Sequence, residues 1–282
     1  MKIVEPVTLK SSKTKEIAKP FLRWAGGKNW LIKHLDTLVP IKGFRNYHEP
    51  FLGGGSIFLS LKPIEQAYLS DLNKELISVY MWLKADPEGI INVLRTYKKS
   101  AEFYYRLRTK VCQDPIKQAA RFIYLNQTSF NGIYRVNLQG EYNVPFAQRA
   151  KGFLEADNLR LVSKSLRNAT LYYGDFEMSK EYIKKGDFVF LDPPYTVSHN
   201  KNGFIKYNQK LFSLNDQIRL SSLIDFIKSK GAYYVLTNAA HKTIEDIFEK
   251  GDRMLKLNRA NLIGGINAQR GQTTEYVFTN AR

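Results

Sequence analysis

The segment Asp187-Phe188-Val189-Phe190-Leu191-Asp192-Pro193-Pro194-Tyr195 is the point from which the architecture of this chain can be worked out. Its first five residues form a short, mostly β-prone apolar run that follows a Lys-Gly turn signal, which predicts a buried strand. The two prolines remove two backbone donors and restrict φ, and the first favours an extended conformation at Asp192. The segment therefore predicts a strand that ends in a stiff loop, where a carboxylate, free carbonyls and an aromatic ring are presented.

Two interpretations of Asp192-Pro193-Pro194-Tyr195 are open at this point. The acceptors and the ring suit an exocyclic amino group on a planar base, because the acceptors can take its N–H hydrogens and the ring can stack on it. The same four residues also suit an ordinary corner between a strand and a turn, with an aspartate as a cap. A motif of this length does not decide between them.

The balance of charge points to a polyanionic partner. The chain has 282 residues, a formal charge of +17 and an isoelectric point of about 9.7. Lys and Arg gain affinity from phosphates through counterion release, so nucleic acid is the leading partner. The alternative is a basic surface that serves only solubility. The middle of the chain, from Lys74 to Thr170, is the more basic part.

Several classes of protein are disfavoured by what the sequence lacks. It has no apolar run of membrane-spanning length and no apolar core of a signal peptide, so we expect a cytoplasmic protein that does not enter a membrane. A lone Cys112 excludes an internal disulfide framework and a cysteine-rich zinc site. The histidines have no ligand spacing, so we expect no metal; they are His34, His48, His199 and His241.

The length suits one large domain, or a main domain with an insertion. Residues 1–19 are polar and rich in lysine, which indicates a flexible or loosely docked arm. In the segment that follows, Phe21 to Lys28, paired glycines at Gly26 and Gly27 stand before a predicted helix start. Free N–H groups beside a lysine make a good anion site. A glycine corner with a solvated lysine is the alternative.

The segment Glu49-Pro50-Phe51-Leu52-Gly53-Gly54-Gly55-Ser56 indicates a strand, a glycine loop and a helix start. The next predicted strand ends at Asp71, which can accept hydrogen bonds from both hydroxyls of a ribose. This is the first half of a nucleotide-binding α/β unit. Because the dinucleotide fingerprint is incomplete, a cofactor with adenosine but without a pyrophosphate fits better.

The region from Asn73 to about Arg121 has a helical pattern, and a polar and aromatic segment follows from Tyr124 to Phe146. Val136 to Val144 predicts a hairpin with glycine at the turn. The surrounding side chains, among them Phe130, Asn131 and Asn137, are of the types that contact base edges, bases and phosphates. A purely structural hairpin weighs equally at this point.

The second half of the chain continues the alternation of strands and helices. A predicted strand ends at Gly174-Asp175, where the aspartate can accept from an adenine amino group. The polar residues 196–210 predict a loop over the site, and residues 261–272 predict a second loop. Helices are predicted from Leu214 and around Ile244, and strands over 232–238 and 274–280.

Five of these motifs come in the order seen in Dam-type DNA adenine-N6 methyltransferases, which the chain resembles from about Pro20 to its end. They are Phe21 to Lys28, Glu49 to Ser56, Ser70-Asp71-Leu72-Asn73, Asn131 to Phe146, and Asp192 to Tyr195. The resemblance implies a Rossmann-like sheet of the S-adenosylmethionine-dependent methyltransferases, with an inserted target-recognition domain of helices and a hairpin. We accordingly expect a catalytic domain over residues 20–74 and 166–282 and a DNA-binding domain over residues 75–165.

The resemblance also implies roles for individual residues. Asp192, Pro193 and Tyr195 match the catalytic motif, with the tyrosine stacking on a flipped adenine. The positions that match cofactor contacts are Trp24, Gly26, Lys28, Phe51, Gly53, Gly55, Asp71, Asp175 and Asp192. The positions assigned to DNA are Arg23, Phe130, Asn131, Ile133, Arg135, Asn137, Pro145, Gln148 and Arg149.

The activity implied is methyl transfer from S-adenosylmethionine to adenine N6 in duplex DNA, at GATC or a related short site. Arg23 stands where these enzymes often have lysine, and Gln148-Arg149 replaces an arginine-containing phosphate contact, so the target is left open. A monomer is expected, with a restriction endonuclease as a candidate partner. The rival hypotheses are a DNA-binding module with a vestigial cofactor fold and a cytosine-N4 methyltransferase. A cytosine-C5 enzyme is disfavoured because Cys112 lacks a preceding proline.

Overall fold

The computed structural model describes residues 17–63, 65–137, 139–147, 152–195, 212–260 and 272–281. Its centre is a seven-stranded sheet in the order β3-β2-β1-β4-β5-β7-β6. The strands are β1 (Tyr47–Glu49), β2 (Ala67–Asp71), β3 (Ala169–Tyr173), β4 (Phe188–Leu191), β5 (Tyr233–Ala239), β6 (Arg253–Ala260) and β7 (Gln272–Thr279). The predicted α/β class and the Rossmann-like methyltransferase sheet are confirmed.

The strand order reverses direction at β1, which pairs in parallel with both β2 and β4. In open α/β sheets, ligands bind beyond the carboxyl ends of the strands at such a point. The chain leaves β1 at Glu49, β2 at Asp71 and β4 at Leu191, immediately before Asp192. The acidic residues predicted from the sequence therefore follow strands that end at one edge of the sheet.

The apolar residues of the central strands alternate between two faces, which is the period of a β-strand. In β4, Phe188 and Phe190 pack into one hydrophobic cluster, whereas Val189 and Leu191 pack into the other. All four are buried, as expected for a strand with helices on both sides. At the start of this strand, Nε2 of His48 lies 2.9 Å from Oδ2 of Asp187, so a buried polar pair also joins β1 to β4.

Five helices lie between β2 and β3 on one face of the sheet: α2 (Lys74–Ala85), α3 (Pro87–Arg95), α4 (Ala101–Thr109), α5 (Pro115–Thr128) and α6 (Ala156–Ser165). Four of them begin at a residue whose side chain accepts a backbone N–H, namely Asn73, Asp86, Ser100 and Asp114. Their buried residues belong to the same hydrophobic cluster as β1 and β2. The division into a catalytic and a recognition domain stays a prediction.

The other helices complete the two layers. Helix α1 (Ser56–Leu61) follows the glycine loop, and α7 (Leu214–Ser229) and α8 (Lys242–Phe248) cover the opposite face of the sheet. The helix predicted near Trp30 is present as a 3-10 helix over Asn29–Thr37. Two shorter 3-10 helices occupy Phe130–Gly132 and Phe176–Glu181.

Strand β6 was missed in the sequence analysis. Its residues alternate between Met254, Lys256 and Asn258 on one side and Leu255, Leu257 and Arg259 on the other. Lysine, asparagine and arginine interrupt the apolar pattern, so the period-2 signal is weak. The strand forms because it pairs along its whole length with β7 in an antiparallel register.

Some predictions lie outside the described residues or at their limit. Residues 1–16 of the predicted arm and the predicted loops over 196–210 and 261–271 are in this group. Within the arm, Lys19 exchanges two backbone hydrogen bonds with the side chain of Asn158, at 2.8 and 2.9 Å, and Ala18 is buried. The end of the arm is therefore docked on α6.

Candidate active site

Asp192 leaves β4 and meets two side chains from distant parts of the chain. Its Oδ1 lies 2.7 Å from Nζ of Lys28 and accepts a 2.8 Å hydrogen bond from the hydroxyl of Thr237 on β5. Burial raises the pKa of the Asp192 carboxyl, and the charge and hydrogen bond of Lys28 oppose that rise. Lys28 and Thr237 therefore favour the ionised carboxylate against the effect of burial.

Lys28 is a buried residue, with only 4% of its surface exposed. Its Nζ also donates to the carbonyl of Gly26 at 3.0 Å, and its backbone N–H donates to Oγ of Ser56 at the start of α1. The alternative of a glycine corner with a solvated lysine is wrong, because the ammonium is paired with Asp192. Gly26 and Gly27 form the turn that precedes Lys28, and Gly26 has a φ of +83°, which favours glycine.

Tyr195 is held at its hydroxyl and on its ring. The hydroxyl donates a hydrogen bond to Oε2 of Glu275, and Nζ of Lys28 lies over the ring, 5.0 Å from its centroid. Burial, together with the charges of Glu275 and Asp192, raises the pKa of the Tyr195 phenol well above its ordinary value. The phenol thus keeps its proton and acts as a donor.

Glu275 and Thr237 were missed in the sequence analysis. Glu275 is 1% exposed on β7, and its Oε1 accepts from Nε of Arg259 on β6. Glu275 stands alone as an acid in the predicted strand 274–280, but that pattern says nothing about its partners. Only the pairing of β5, β7 and β6 brings these side chains beside the loop after β4.

The glycine loop after β1 is closely packed against two aromatic side chains. Gly53 has a φ of +47°, and a Cβ there would lie 2.8 Å from Cδ1 of Trp24. Gly55 has a φ of +64°, and a Cβ there would lie 2.9 Å from the hydroxyl of Tyr80. Both positions thus require glycine for backbone conformation and for space. The Tyr80 hydroxyl donates to the carbonyl of Gly53 at 3.1 Å.

Asp71 connects the second strand to this loop. Its Oδ2 accepts from the N–H of Gly53 at 3.0 Å and its Oδ1 from the N–H of Asn73 at 2.9 Å. Burial raises the pKa of the Asp71 carboxyl, and these backbone hydrogen bonds oppose the rise. A carboxylate has about four acceptor positions, so each oxygen keeps one for a vicinal diol. The residue therefore fits the ribose of an adenosine cofactor.

Glu49 is a further buried acid at the end of β1. It accepts from the Tyr47 hydroxyl at 2.8 Å and from the N–H of Phe58 at 3.1 Å. Burial raises its pKa to about 8, and the charges of Asp192 and Asp71 contribute in the same direction. Because β1 pairs in parallel with both β2 and β4, the acids at the ends of these three strands stand at one edge of the sheet.

Phe51 and Asp175, both predicted to contact the cofactor, lie beside a cluster of phenylalanine rings. The ring of Phe51 stacks on Phe176 with a centroid distance of 5.4 Å and meets Phe212 edge-on at 5.8 Å. Asp175 is 40% exposed, and its Oδ1 accepts from Arg219 at 2.8 Å. This ion pair was not predicted from the sequence.

Trp24 links the glycine loop to the region between β2 and β3. Its ring stacks on Tyr134 with a centroid distance of 5.6 Å, and Tyr134 stacks in turn on Phe122 of α5. The hydroxyl of Tyr134 donates to Glu75 at the start of α2. A continuous set of rings thus joins the predicted cofactor loop to the base of the predicted hairpin.

The hairpin over 136–144 is formed by isolated bridges rather than by extended strands. Val136 bridges Tyr142, and the backbone N–H of Asn143 donates to the carbonyl of Arg135. The side chain of Asn137 accepts from two backbone N–H groups across the turn, so its amide oxygen stabilises the hairpin. That contact accounts for Asn137 structurally, and its assignment to DNA stays a prediction.

The remaining residues assigned to DNA lie close to the hairpin. Phe130, Asn131 and Arg135 are exposed, and Asn131 has a φ of +54°. Arg135 donates to Oδ1 of Asn143 at 2.7 Å. The ladder beneath them is closed by a hydrogen bond from Phe130 N–H to the carbonyl of Pro145.

Arg23 approaches the same region from the amino-terminal segment. A Cβ on Gly132 would lie 2.3 Å from Cβ of Arg23, so glycine is required at this contact. Asn126 of α5 joins the two, since its amide donates to the carbonyls of Arg23 and Gly132. The side chain of Ile133 is half-buried beside them, and Gln148 and Arg149 lie outside the described residues.

Within the described ranges, no group of His, Cys, Asp or Glu side chains is arranged to hold a metal ion. Across the same part of the chain, no helix is both long and apolar enough to cross a membrane. Cys112 is a half-buried free thiol just past the end of α4.

The chain is similar to known proteins over most of its length. Residues 24–261 match the family model described as D12 class N6 adenine-specific DNA methyltransferase. A type II methyltransferase of Lactococcus lactis subsp. cremoris is 33% identical over 279 residues, which cover 95% of this chain and 97% of that protein. A type II methyltransferase of Methanocaldococcus jannaschii is 35% identical over 243 residues, covering 78% of this chain and 84% of that protein.

A DNA adenine methylase of Salmonella typhi is 33% identical over 226 residues, which cover 78% of this chain and 80% of that protein. The family match spans the glycine loop, the helices between β2 and β3, and the segment after β4. The chain therefore belongs to the D12 class of adenine-specific DNA methyltransferases and is an enzyme of that class.

Proposed function

We propose that this enzyme transfers a methyl group from S-adenosylmethionine to adenine N6 within GATC or a related short site of duplex DNA, after extrusion of the target base. The observation that carries the proposal is the constellation at the end of β4, where the partly buried Asp192 carboxylate and the Tyr195 ring lie beside the buried Lys28. When bound, the cofactor supplies an electrophilic methyl group on a sulfonium.

Residues around the glycine loop would hold that cofactor. Asp71 has acceptor positions left for the ribose hydroxyls, and its hydrogen bond from the Gly53 N–H sets the glycine loop beside that carboxylate. The Phe51 ring would contact the cofactor with one face, and the Asp175 carboxylate beside the same phenylalanine cluster would accept its hydrogen bonds. The Trp24 ring packs against Gly53 of the glycine loop.

Asp192 and Pro193 would accept the two hydrogens of the adenine amino group. Accepting both turns the nitrogen lone pair out of the ring plane, in the direction of the methyl group. Adenine N6 is barely basic, so Asp192 would orient the nucleophile rather than remove a proton beforehand, and positioning carries most of the rate. As the new N–C bond forms, the C–S bond would break to leave a neutral thioether, and the methylated nitrogen would then release one proton to water. Tyr195 would stack on the base, whose removal from the duplex costs a few kcal/mol.

The segment between β2 and β3 would recognise the target. We propose that residues 75–165 form the target-recognition domain, with Asn131, Ile133, Arg135 and Pro145 at the bases. Arg23 would contact the outer guanine, and Gln148-Arg149 a phosphate. The support is the exposure of Asn131 and Arg135 and the basic composition of this segment. Residues 20–74 and 166–282 would form the catalytic domain.

The biological setting of this activity is proposed from the relatives. Two of them are named type II methyltransferases. We therefore propose a place in a restriction-modification system, with a cognate endonuclease and a monomeric methyltransferase. A host methylation role, as the relatives named DNA adenine methylase suggest, is the alternative within the same chemistry.

The decisive experiment is methylation of a random-sequence duplex pool, with S-adenosylmethionine as donor and the modified bases mapped by sequencing. We expect N6-methyladenine within one short motif. The Asp192→Ala variant should give none while it still binds duplex DNA. Methylated cytosine, or methylation that survives in Asp192→Ala, would refute the mechanism.

A further inference from the structure

Tyr195 depends on side-chain contacts for its orientation. It follows Pro193-Pro194, which offer no backbone N–H, and it lies outside any regular element. A ring that is to stack on an extruded base must already stand in one orientation, because ordering it during binding would cost affinity. The described contacts of the ring are Lys28, over the ring, and Glu275, at the hydroxyl.

The position of Glu275 within the sheet suits a residue that orients the Tyr195 ring. Its backbone pairs with Ala239 of β5 on one side and with Leu257 of β6 on the other. A buried carboxylate is costly unless it is paired, and its two oxygens here accept separately from Arg259 and from Tyr195. The arginine therefore offsets the electrostatic cost of an acceptor that a strand holds at a fixed place.

We infer that Glu275, balanced by Arg259, is a positioning residue that fixes the Tyr195 ring for stacking on the target base. The inference rests on the proposed function of Tyr195. Glu275 acts through the tyrosine hydroxyl, so it should change base extrusion and methyl transfer without contacting the base or the cofactor. Lys28 lies over one face of the ring, so the base would stack on the opposite face.

The chain provides a matched control at the opposite end of the sheet. Asp252, just before β6, accepts from the hydroxyl of Tyr234 at 3.0 Å and from Nζ of Lys228 at 2.6 Å. This is the same combination of carboxylate, tyrosine and cation, but Tyr234 lies at the amino end of β5. The variant Asp252→Asn therefore reports the cost of losing such a group away from the site.

The experiment compares Glu275→Ala, Glu275→Gln and Tyr195→Phe in the full-length protein. Single-turnover methylation is measured on a duplex that contains the mapped site. Base extrusion is measured as fluorescence of a duplex with 2-aminopurine at the methylated position. Thermal melting checks that each variant folds.

We expect Glu275→Ala and Tyr195→Phe to lower the methylation rate about tenfold each, the effect of losing one hydrogen bond to a charged group. Both should reduce the fluorescence signal, and duplex affinity should change little. Glu275→Gln keeps a neutral acceptor and should retain an intermediate rate. The double variant Glu275→Ala/Tyr195→Phe should be no slower than either single variant, because both remove the same contact.

Two results would overturn the inference but leave the proposed function intact. One is a Glu275→Ala fluorescence signal equal to that of the wild type, and the other is a double variant whose rate loss is the product of the two single losses. A rate loss in Asp252→Asn as large as that in Glu275→Ala would assign the effect to general destabilisation and would also overturn it. Absence of methylation and of the signal in the wild type would instead refute the proposed function, and the inference with it.

Discussion

Replacement of Lys28 by methionine removes the ammonium 2.7 Å from Oδ1 of Asp192 and keeps a side chain of similar length. At that separation two unit charges attract by about 6 kcal/mol in a medium with an effective dielectric constant of about 20. The desolvation cost of the ammonium, which disappears with it, offsets part of this attraction. Loss of one partner of a buried pair typically costs about 3 to 5 kcal/mol.

The side chain of Asp192 keeps 18% exposure, so the lower end of that range, about 3 kcal/mol, is the better measure. Burial already raises the pKa of Asp192 and Lys28 opposes the rise, so the variant must have a higher pKa than the wild type. The acid limb of the pH–rate profile therefore moves to higher pH in the variant. Methylation should then fall as pH decreases through that limb and recover as pH rises.

The assay is single-turnover methylation at saturating DNA and S-adenosylmethionine, over a pH range from mildly acidic to mildly alkaline. Lys242→Met is the matched control, because Lys242 is exposed and pairs with Asp246 on the surface of α8. Its profile should follow that of the wild type. A Lys28→Met profile that is scaled down uniformly, without recovery at high pH, would refute the assigned electrostatic role.

Three further predictions test other parts of the site. Burial raises the pKa of Glu49 to about 8, so between about pH 4.5 and 8 the folded protein keeps a proton that the unfolded chain has lost. The free energy of unfolding therefore falls as pH rises through this window, by up to about 1.4 kcal/mol per pH unit. Urea titrations at two pH values inside the window should show that Glu49→Gln removes this contribution. An equal pH dependence of the two proteins would contradict the prediction. Gly53→Ala, whose methyl would lie 2.8 Å from the nearest side-chain atom, should weaken S-adenosylmethionine binding about tenfold by calorimetry, whereas Gly251→Ala, which also has a positive φ but has open space, should not. Arg135→Ala should relax the mapped site preference, and the exposed Arg167→Ala should leave it intact; an unchanged preference in Arg135→Ala would remove the hairpin from target recognition.

The order of elements and the end of each parallel strand could be predicted because both follow from local patterns. Mostly apolar or aromatic runs that end at Gly or Asp marked β2, β3 and β4, and the glycine loop marked the end of β1. Asp71 and Asp192 stand where β2 and β4 end, at one edge of the sheet. That edge follows from the geometry of parallel strands, so the sequence alone was enough to assign these acids to one site. Strand β6 was not predicted because its polar residues alternate with apolar ones. The strand is stabilised by pairing with β7 rather than by an apolar run.

Residue patterns were enough to predict an α/β fold with a glycine loop, an acid at the end of β2 and the Asp-Pro-Pro-Tyr segment after β4, and the family resemblance added the methyltransferase assignment. The groups that surround that segment are known from the three-dimensional arrangement. Lys28, Thr237 and Glu275 come from the amino-terminal segment, β5 and β7, and nothing in their local sequence shows that they meet Asp192 and Tyr195. The physical reason is that side-chain periodicity tells which residues point inward, whereas the partner of a buried charge depends on strand order and register.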